Sequence, residues 1–147
     1  MTAPISVMRL DPRAKLPAYG SPDAAGADLY ALTGGPVTIA PGETALIHTG
    51  IAMAIPQGYA GLVYARSGLA CKRGLAPANK VGVIDADYRG EVMIFLHNHG
   101  LEAQVVEDGE RVAQLVVTPC LTAQFIPAEE LDSTRRGSGG FGSTGTK

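Results

Sequence analysis

Asn79-Lys-Val-Gly-Val-Ile-Asp-Ala-Asp-Tyr-Arg-Gly90 runs directly into Glu91-Val-Met-Ile-Phe-Leu96, and the reading of the fold turns on this stretch. Val81, Val83 and Ile84 favour extended backbone, Asp-Ala-Asp-Tyr-Arg-Gly supplies turn chemistry, and residues 91–96 read as a second strand. The pattern predicts a β-hairpin. Gly82 interrupts its first arm, as glycine does where a ligand or another backbone comes close. Asp85 and Asp87 stand beside Tyr88 at the end of the apolar run. They read either as turn stabilisers or as the furniture of a binding cleft.

Outward from this stretch, short β-like runs recur between Gly and Pro punctuation. They cover residues 7–10, 37–40, 44–55, 59–64, 104–106, 112–118 and 122–126. Many short strands at this spacing predict an all-β antiparallel sandwich or distorted barrel, and no alternation of long helices with strands suggests a parallel sheet. One short helix is expected at residues 68–73, with Ser67 as N-cap and Gly74 at the C′ position. Arg66-Ser67 at its start suits an anion such as phosphate.

The chain has 147 residues, 46% hydrophobic and 18% charged, which fits one globular domain with its own core. A net charge of −2 argues against a general nucleic-acid or membrane-surface binder. Cys71 and Cys120 have neither metal-ligand spacing nor a disulfide framework. They read as reduced thiols in a soluble cytoplasmic protein, a single disulfide being the alternative. The N-terminal residues lack the apolar core of a signal peptide, and no apolar run reaches membrane-spanning length.

After residue 131 the composition changes. Residues 132–147 hold five Gly, six Ser or Thr and one large apolar residue, Phe141. Such a segment buries too little surface to offset its ordering entropy, so residues 1–131 are expected to form the β domain and 132–147 a mobile arm. Phe141 and Arg136 suggest an arm that folds over a ligand; a disordered tail with a stray aromatic is the plainer reading. Gly137-Ser-Gly-Gly-Phe-Gly142 matches a dinucleotide fingerprint only formally, with no βαβ unit around it. His97-Asn-His99 reads as a polar turn closing a strand rather than a metal pair.

Five separated stretches in order carry a family resemblance. They are Ala25-Gly-Ala-Asp-Leu-Tyr-Ala31, Ala65-Arg-Ser-Gly-Leu-Ala70, Gly82-Val-Ile-Asp-Ala-Asp-Tyr-Arg-Gly90, Gly109-Glu-Arg-Val-Ala-Gln-Leu115 and Arg136-Gly-Ser-Gly-Gly-Phe-Gly-Ser-Thr-Gly145. Together they resemble the deoxyuridine triphosphatase (dUTPase) family of the homotrimeric, all-β kind. The resemblance implies a jelly-roll protomer and a homotrimer with active sites shared between subunits. It implies hydrolysis of dUTP to dUMP and pyrophosphate with Mg2+, which keeps uracil out of DNA and supplies dUMP for dTMP synthesis. The related dCTP deaminase family shares the fold, and a non-catalytic nucleotide-binding regulator would too.

Carried over onto this chain, Asp85 would deprotonate the attacking water. Asn79 and the backbone of Gly82, Val83 and Ile84 would read the uracil edge, with Tyr88 under the deoxyribose. Arg66, Ser67, Gly68 and Gln114 would hold phosphates, and Asp28 would contact the magnesium through water. Arg136, Ser138, Gly140 and Phe141 would close the site. Asp87 is left to the turn.

Overall fold

Gly and Pro divide the chain into short extended runs, and the computed structural model, which describes residues 4–140, shows what they become. In chain order the strands are β1 Ser6–Arg9, β2 Ala18–Tyr19, β3 Ala27–Tyr30, β4 Val37–Ile39, β5 Thr44–Ala54 and β6 Tyr59–Tyr64. Helix α1 spans Ser67–Arg73, followed by β7 Leu75–Pro77, β8 Gly82–Ile84, β9 Glu91–Asn98, β10 Gln104–Val106 and β11 Arg111–Pro119. The all-β expectation holds, with one short helix. Strands β2, β3 and β7 have no counterpart in the sequence reading, being too short for a periodic signal.

Two antiparallel sheets form the sandwich. One has the order β1-β5-β9-β7 and the other β2-β3-β11-β6-β8, with a β10-β4 ribbon beside them. Along β9, Val92, Ile94 and Leu96 are buried while Met93 and Phe95 are exposed, the period-two pattern of a strand with one covered face. Its buried face meets Leu29, Val63, Val112 and Leu115 from the opposite sheet in one core. Full burial of a side chain such as Leu96 contributes roughly 1.5–3 kcal/mol.

The predicted hairpin is corrected by the pairing. β8 pairs with β6 in the five-stranded sheet, through Gly61↔Ile84 and Leu62↔Val83. β9 instead pairs with β5 and β7 in the other sheet. Residues 85–90 therefore cross between sheets rather than join paired neighbours. The partner of β9 on this side is β7, extended by Ala78 N–H donating to the Phe95 carbonyl at 2.8 Å. Beyond Ala78 the chain splays away, which opens a cleft between the layers.

Two further expectations change. Helix α1 begins at Ser67, so Arg66 rather than Ser67 is the N-cap, with extended backbone and no side-chain cap bond. Gly74 terminates the helix as expected, at φ 66°. Residues 122–126 form no strand, because no neighbour on the protomer takes up their backbone groups. Leu121, Phe125 and Leu131 are consequently 89–94% exposed.

His97 and Asn98 are the last residues of β9 rather than part of a turn, which begins only at His99. Asn98 is fully buried and donates from Nδ2 to the Ile39 carbonyl at 2.9 Å and the Glu102 carbonyl at 2.8 Å. Its Oδ1 accepts Gly100 N–H at 2.9 Å. The flanking rings stack edge to face, with centroids 4.3 Å apart.

Candidate active site

The cleft opened by the divergence of β8 from β9 holds a cavity of about 300 Å³. Asn79, Gly82, Val83, Ile84, Asp85 and Tyr88 all line it. A Cβ on Gly82 would lie 3.3 Å from Val63 Cβ and 3.4 Å from Asn79 Nδ2, so glycine keeps this wall thin. Asp85 faces the cavity and Asp87 does not, which separates two carboxylates that the sequence alone left equivalent. The turn is real as well: Tyr88 N–H donates to the Asp85 carbonyl at 3.2 Å. Arg89 curls back to donate to the Ala86 and Tyr88 carbonyls.

Tyr88 is held from behind. Its hydroxyl donates to the Glu91 carbonyl at 2.9 Å. The Glu91 carboxylate is fixed in turn by His48 Nδ1 at 2.9 Å and by Gly50 N–H at 2.8 Å, at the register shift of β5. Burial alone would raise the Glu91 carboxyl; the bonds from His48 and Gly50 outweigh it and hold the group below its ordinary value. A Cβ on Gly90 would come within 2.4 Å of the Tyr88 hydroxyl, so Tyr88 needs the bare glycine beside it.

A second cavity, of about 250 Å³, lies between β3, the start of α1 and β11. Asp28, Arg66, Ser67, Gly68, Arg111 and Gln114 line it. Asp28 is 8% exposed and receives Arg66 Nε on Oδ1 at 2.6 Å and Arg111 Nη1 on Oδ2 at 3.3 Å. Two guanidiniums against one carboxylate leave this cavity cationic. Gln114 Nε2 donates to the Ala65 carbonyl at 2.8 Å, and a Cβ on Gly26 would lie 2.4 Å from its Oε1. Gly26 thus makes the room in which Gln114 sits.

Arg111 was missed in the sequence reading, and the structure gives the reason. Strict alternation would point Arg111 and Gln114 to opposite faces of β11, but the strand shifts register between Arg111 and Ala113. That bulge turns both side chains into one cavity. The stretch Gly109-Glu-Arg-Val-Ala-Gln-Leu115 was the only available signal.

The two cavities share no lining residue. One chain thus gathers Asn79, Gly82, Val83, Ile84, Asp85 and Tyr88 in one place and Asp28, Arg66, Ser67, Gly68 and Gln114 in another. Arg136, Ser138 and Gly140 line neither. Arg136 is exposed and donates from Nε to the Gly139 carbonyl at 2.8 Å. Phe141 lies outside the described residues.

Among the described residues no group of three or more His, Cys, Asp or Glu is placed to hold a metal. Asp28 has both oxygens engaged by arginines, so the residues present do not fit a resident ion held directly by the protein. Nor is any described helix long and apolar enough to cross a membrane.

The dUTPase family model matches residues 12–145. The chain is 54% identical over 144 residues to the deoxyuridine 5'-triphosphate nucleotidohydrolase of Syntrophotalea carbinolica, covering 98% of each chain. It is 48% identical over 150 residues to the protein of that name from Maricaulis maris, covering 99% of each. Among solved structures, the Staphylococcus bacteriophage 80alpha dUTPase with dUPNHPP superposes with a TM-score of 0.89 at 32% identity. That match covers 99% of this chain and 100% of the other.

Proposed function

Because this chain belongs to the dUTPase family, we propose that its two cavities are the halves of one site that hydrolyses dUTP to dUMP and pyrophosphate. The observation that carries this reading is the division itself. A carboxylate, an aromatic ring and a thin glycine wall line one cavity, while two arginines, a hydroxyl and an amide line the other. A deoxynucleoside triphosphate has the same two-part chemistry.

In the first cavity, Asn79 and the backbone of Gly82, Val83 and Ile84 present polar edges to uracil. Cytosine would leave those groups unpaired, and a site built this way rejects a mismatched analogue by about 10⁴–10⁵. Tyr88 packs against the deoxyribose and leaves no room for a 2′-hydroxyl. Asp85 takes the proton of a water attacking the α-phosphorus, a contribution of about 10²–10⁴ in rate.

In the second cavity, Arg66, Ser67, Gly68 and Gln114 hold the phosphate oxygens, and Arg111 joins them. Asp28 sets the direction of both guanidiniums, and any contact it made with a magnesium ion would be through water. Family members generally depend on a metal ion. A magnesium ion would belong to the substrate, carried on the triphosphate, where it would neutralise charge. Residues 132–147 act as an arm, with Arg136, Ser138 and Gly140 adding donors and Phe141 covering the base.

On this reading a second copy of the chain unites the two halves. The reading therefore includes a homotrimer, in which Asp85 of one subunit faces Arg66 of the next. The test is incubation with each deoxynucleoside triphosphate and magnesium, followed by pyrophosphate measurement. Release from dUTP alone supports the reading; equal release from all substrates, or ammonia from dCTP, contradicts it.

A further inference from the structure

Arg73 lines neither cavity, yet its guanidinium is engaged on every side. Nε donates to Gln104 Oε1 at 3.0 Å, Nη1 pairs with Glu110 Oε1, and Nη2 donates to the Val105 carbonyl. Glu110 is held from its other oxygen, which accepts Glu107 N–H at 3.0 Å. Its own carbonyl accepts Ala31 N–H at 2.8 Å, next to β3.

These contacts join the C-terminal end of α1 to the turn that leads into β11. The N-terminal end of α1 is joined to the same strand by Gln114 Nε2 on the Ala65 carbonyl. Residues 66 to 73 of a helix span about 10 Å. Residues 110 to 114 of a strand span about 13 Å. Helix α1 is therefore tied at one end to Glu110, the residue just before β11, and at the other to Gln114 within β11, four residues apart. The elements tied together carry Arg66, Ser67 and Gly68 on one side and Arg111 and Gln114 on the other.

We propose that Arg73, through its ion pair with Glu110, is a positioning residue that sets α1 against β11 and so fixes the geometry of the triphosphate half of the site. The partners are about one-quarter exposed, with 29% of the Arg73 side chain and 23% of the Glu110 side chain accessible, so water screens the pair only in part. Arginine suits the task because its planar fork makes three directed bonds at once, where lysine offers a single point charge. A second tie on the same end excludes a loose helix terminus. His99 N–H donates to the Gly74 carbonyl at 2.8 Å, and a Cβ on Gly74 would lie 2.8 Å from Gly100 N. Loss of Arg73 thus frees the rotation of α1 about this pivot rather than melting it. The inference rests on the phosphate-binding role given above to Arg66 and Gln114.

The experiment compares Arg73→Gln, Glu110→Gln and the charge reversal Arg73→Glu with Glu110→Arg. The readouts are kcat/KM for dUTP and the affinities for deoxyuridine and for a non-hydrolysable imido analogue of dUTP. Misplacement of catalytic groups by about 1 Å costs up to ~10²-fold. Each single variant is expected to lose about 10- to 100-fold in kcat/KM and in analogue affinity. Deoxyuridine affinity stays within about twofold, because the base cavity shares nothing with this tie. The reversed pair recovers part of the loss. Wild-type kcat/KM in both single variants, or an equal loss for deoxyuridine, overturns the proposal. If Arg73→Gln does not fold, Arg73→Lys decides: an intermediate loss confined to the analogue supports the proposal, and unchanged analogue affinity overturns it. A wild-type protein that leaves dUTP intact would instead overturn the assigned activity.

Discussion

Arg66 Nε lies 2.6 Å from Asp28 Oδ1, while Arg111 reaches the other oxygen of the same buried carboxylate. The most enclosed charge of the cationic cavity is thus an organiser of its arginines. Removing that charge leaves two guanidiniums facing each other across a partly dry space. Asp28→Asn is expected to lower kcat/KM for dUTP by at least about tenfold, because the two guanidiniums lose the alignment that the proposed phosphate-binding role needs. Steady-state kinetics with circular dichroism as the folding control checks this.

Asp85 lines the base cavity and, in the proposed role, touches the substrate only through the attacking water. Asp85→Asn should keep the affinity for the imido analogue within about threefold and lower kcat by about 10²–10⁴. Single-turnover hydrolysis beside analogue binding separates the two effects.

Gly90→Ala would place a methyl carbon 2.4 Å from the Tyr88 hydroxyl, which is itself bonded to the Glu91 carbonyl. The Tyr88 ring must then shift, which in the proposed site takes it off the sugar. The variant is expected to raise KM for dUTP and to narrow the preference for dUTP over UTP by about tenfold or more. The ratio of kcat/KM values for the two substrates measures it.

Much of this architecture was legible in the residues. Residues 104–106 and 59–64 form strands with the expected bounds, because Gly and Pro punctuation marks where extended runs stop. Asp85 and Tyr88 stood out because carboxylates and an aromatic ring cluster beside a strand-interrupting glycine, while Asn79 entered through the family resemblance. Partnership was less legible. Alternation along residues 91–96 says which side chains point inward, but not that β9 joins β5 and β7 while β8 crosses to β6. Arg111 was hidden by a bulge that inverts the parity of its own strand. Residues 122–126 have the composition of a strand and lack only a neighbour to pair with.

Glu91 gives the fold an acid-sensitive point. Its folded-state carboxyl titrates below the ordinary value of 4.5, so its ionised form is favoured by folding. That contribution is fully present above about pH 4.5 and is lost as pH falls through the lower folded value. Glu91→Gln is expected to reduce stability at neutral pH and to flatten the decline on acidification that begins near pH 4.5. Urea unfolding midpoints across pH 3–7 test this, and parallel curves for both proteins would contradict it.

The central claim is that one chain carries two half-sites that are completed between copies. Asp85→Asn retains an intact cationic cavity and Arg66→Gln retains an intact base cavity, and each alone should be nearly inactive. Co-expressed at equal levels in a trimer, they would bring two intact halves together at about one interface in four. The predicted specific activity on dUTP is therefore about a quarter of the unaltered protein's, far above either variant. Activity no higher than the mean of the two single variants would mean that each chain completes its own site, and would contradict the account.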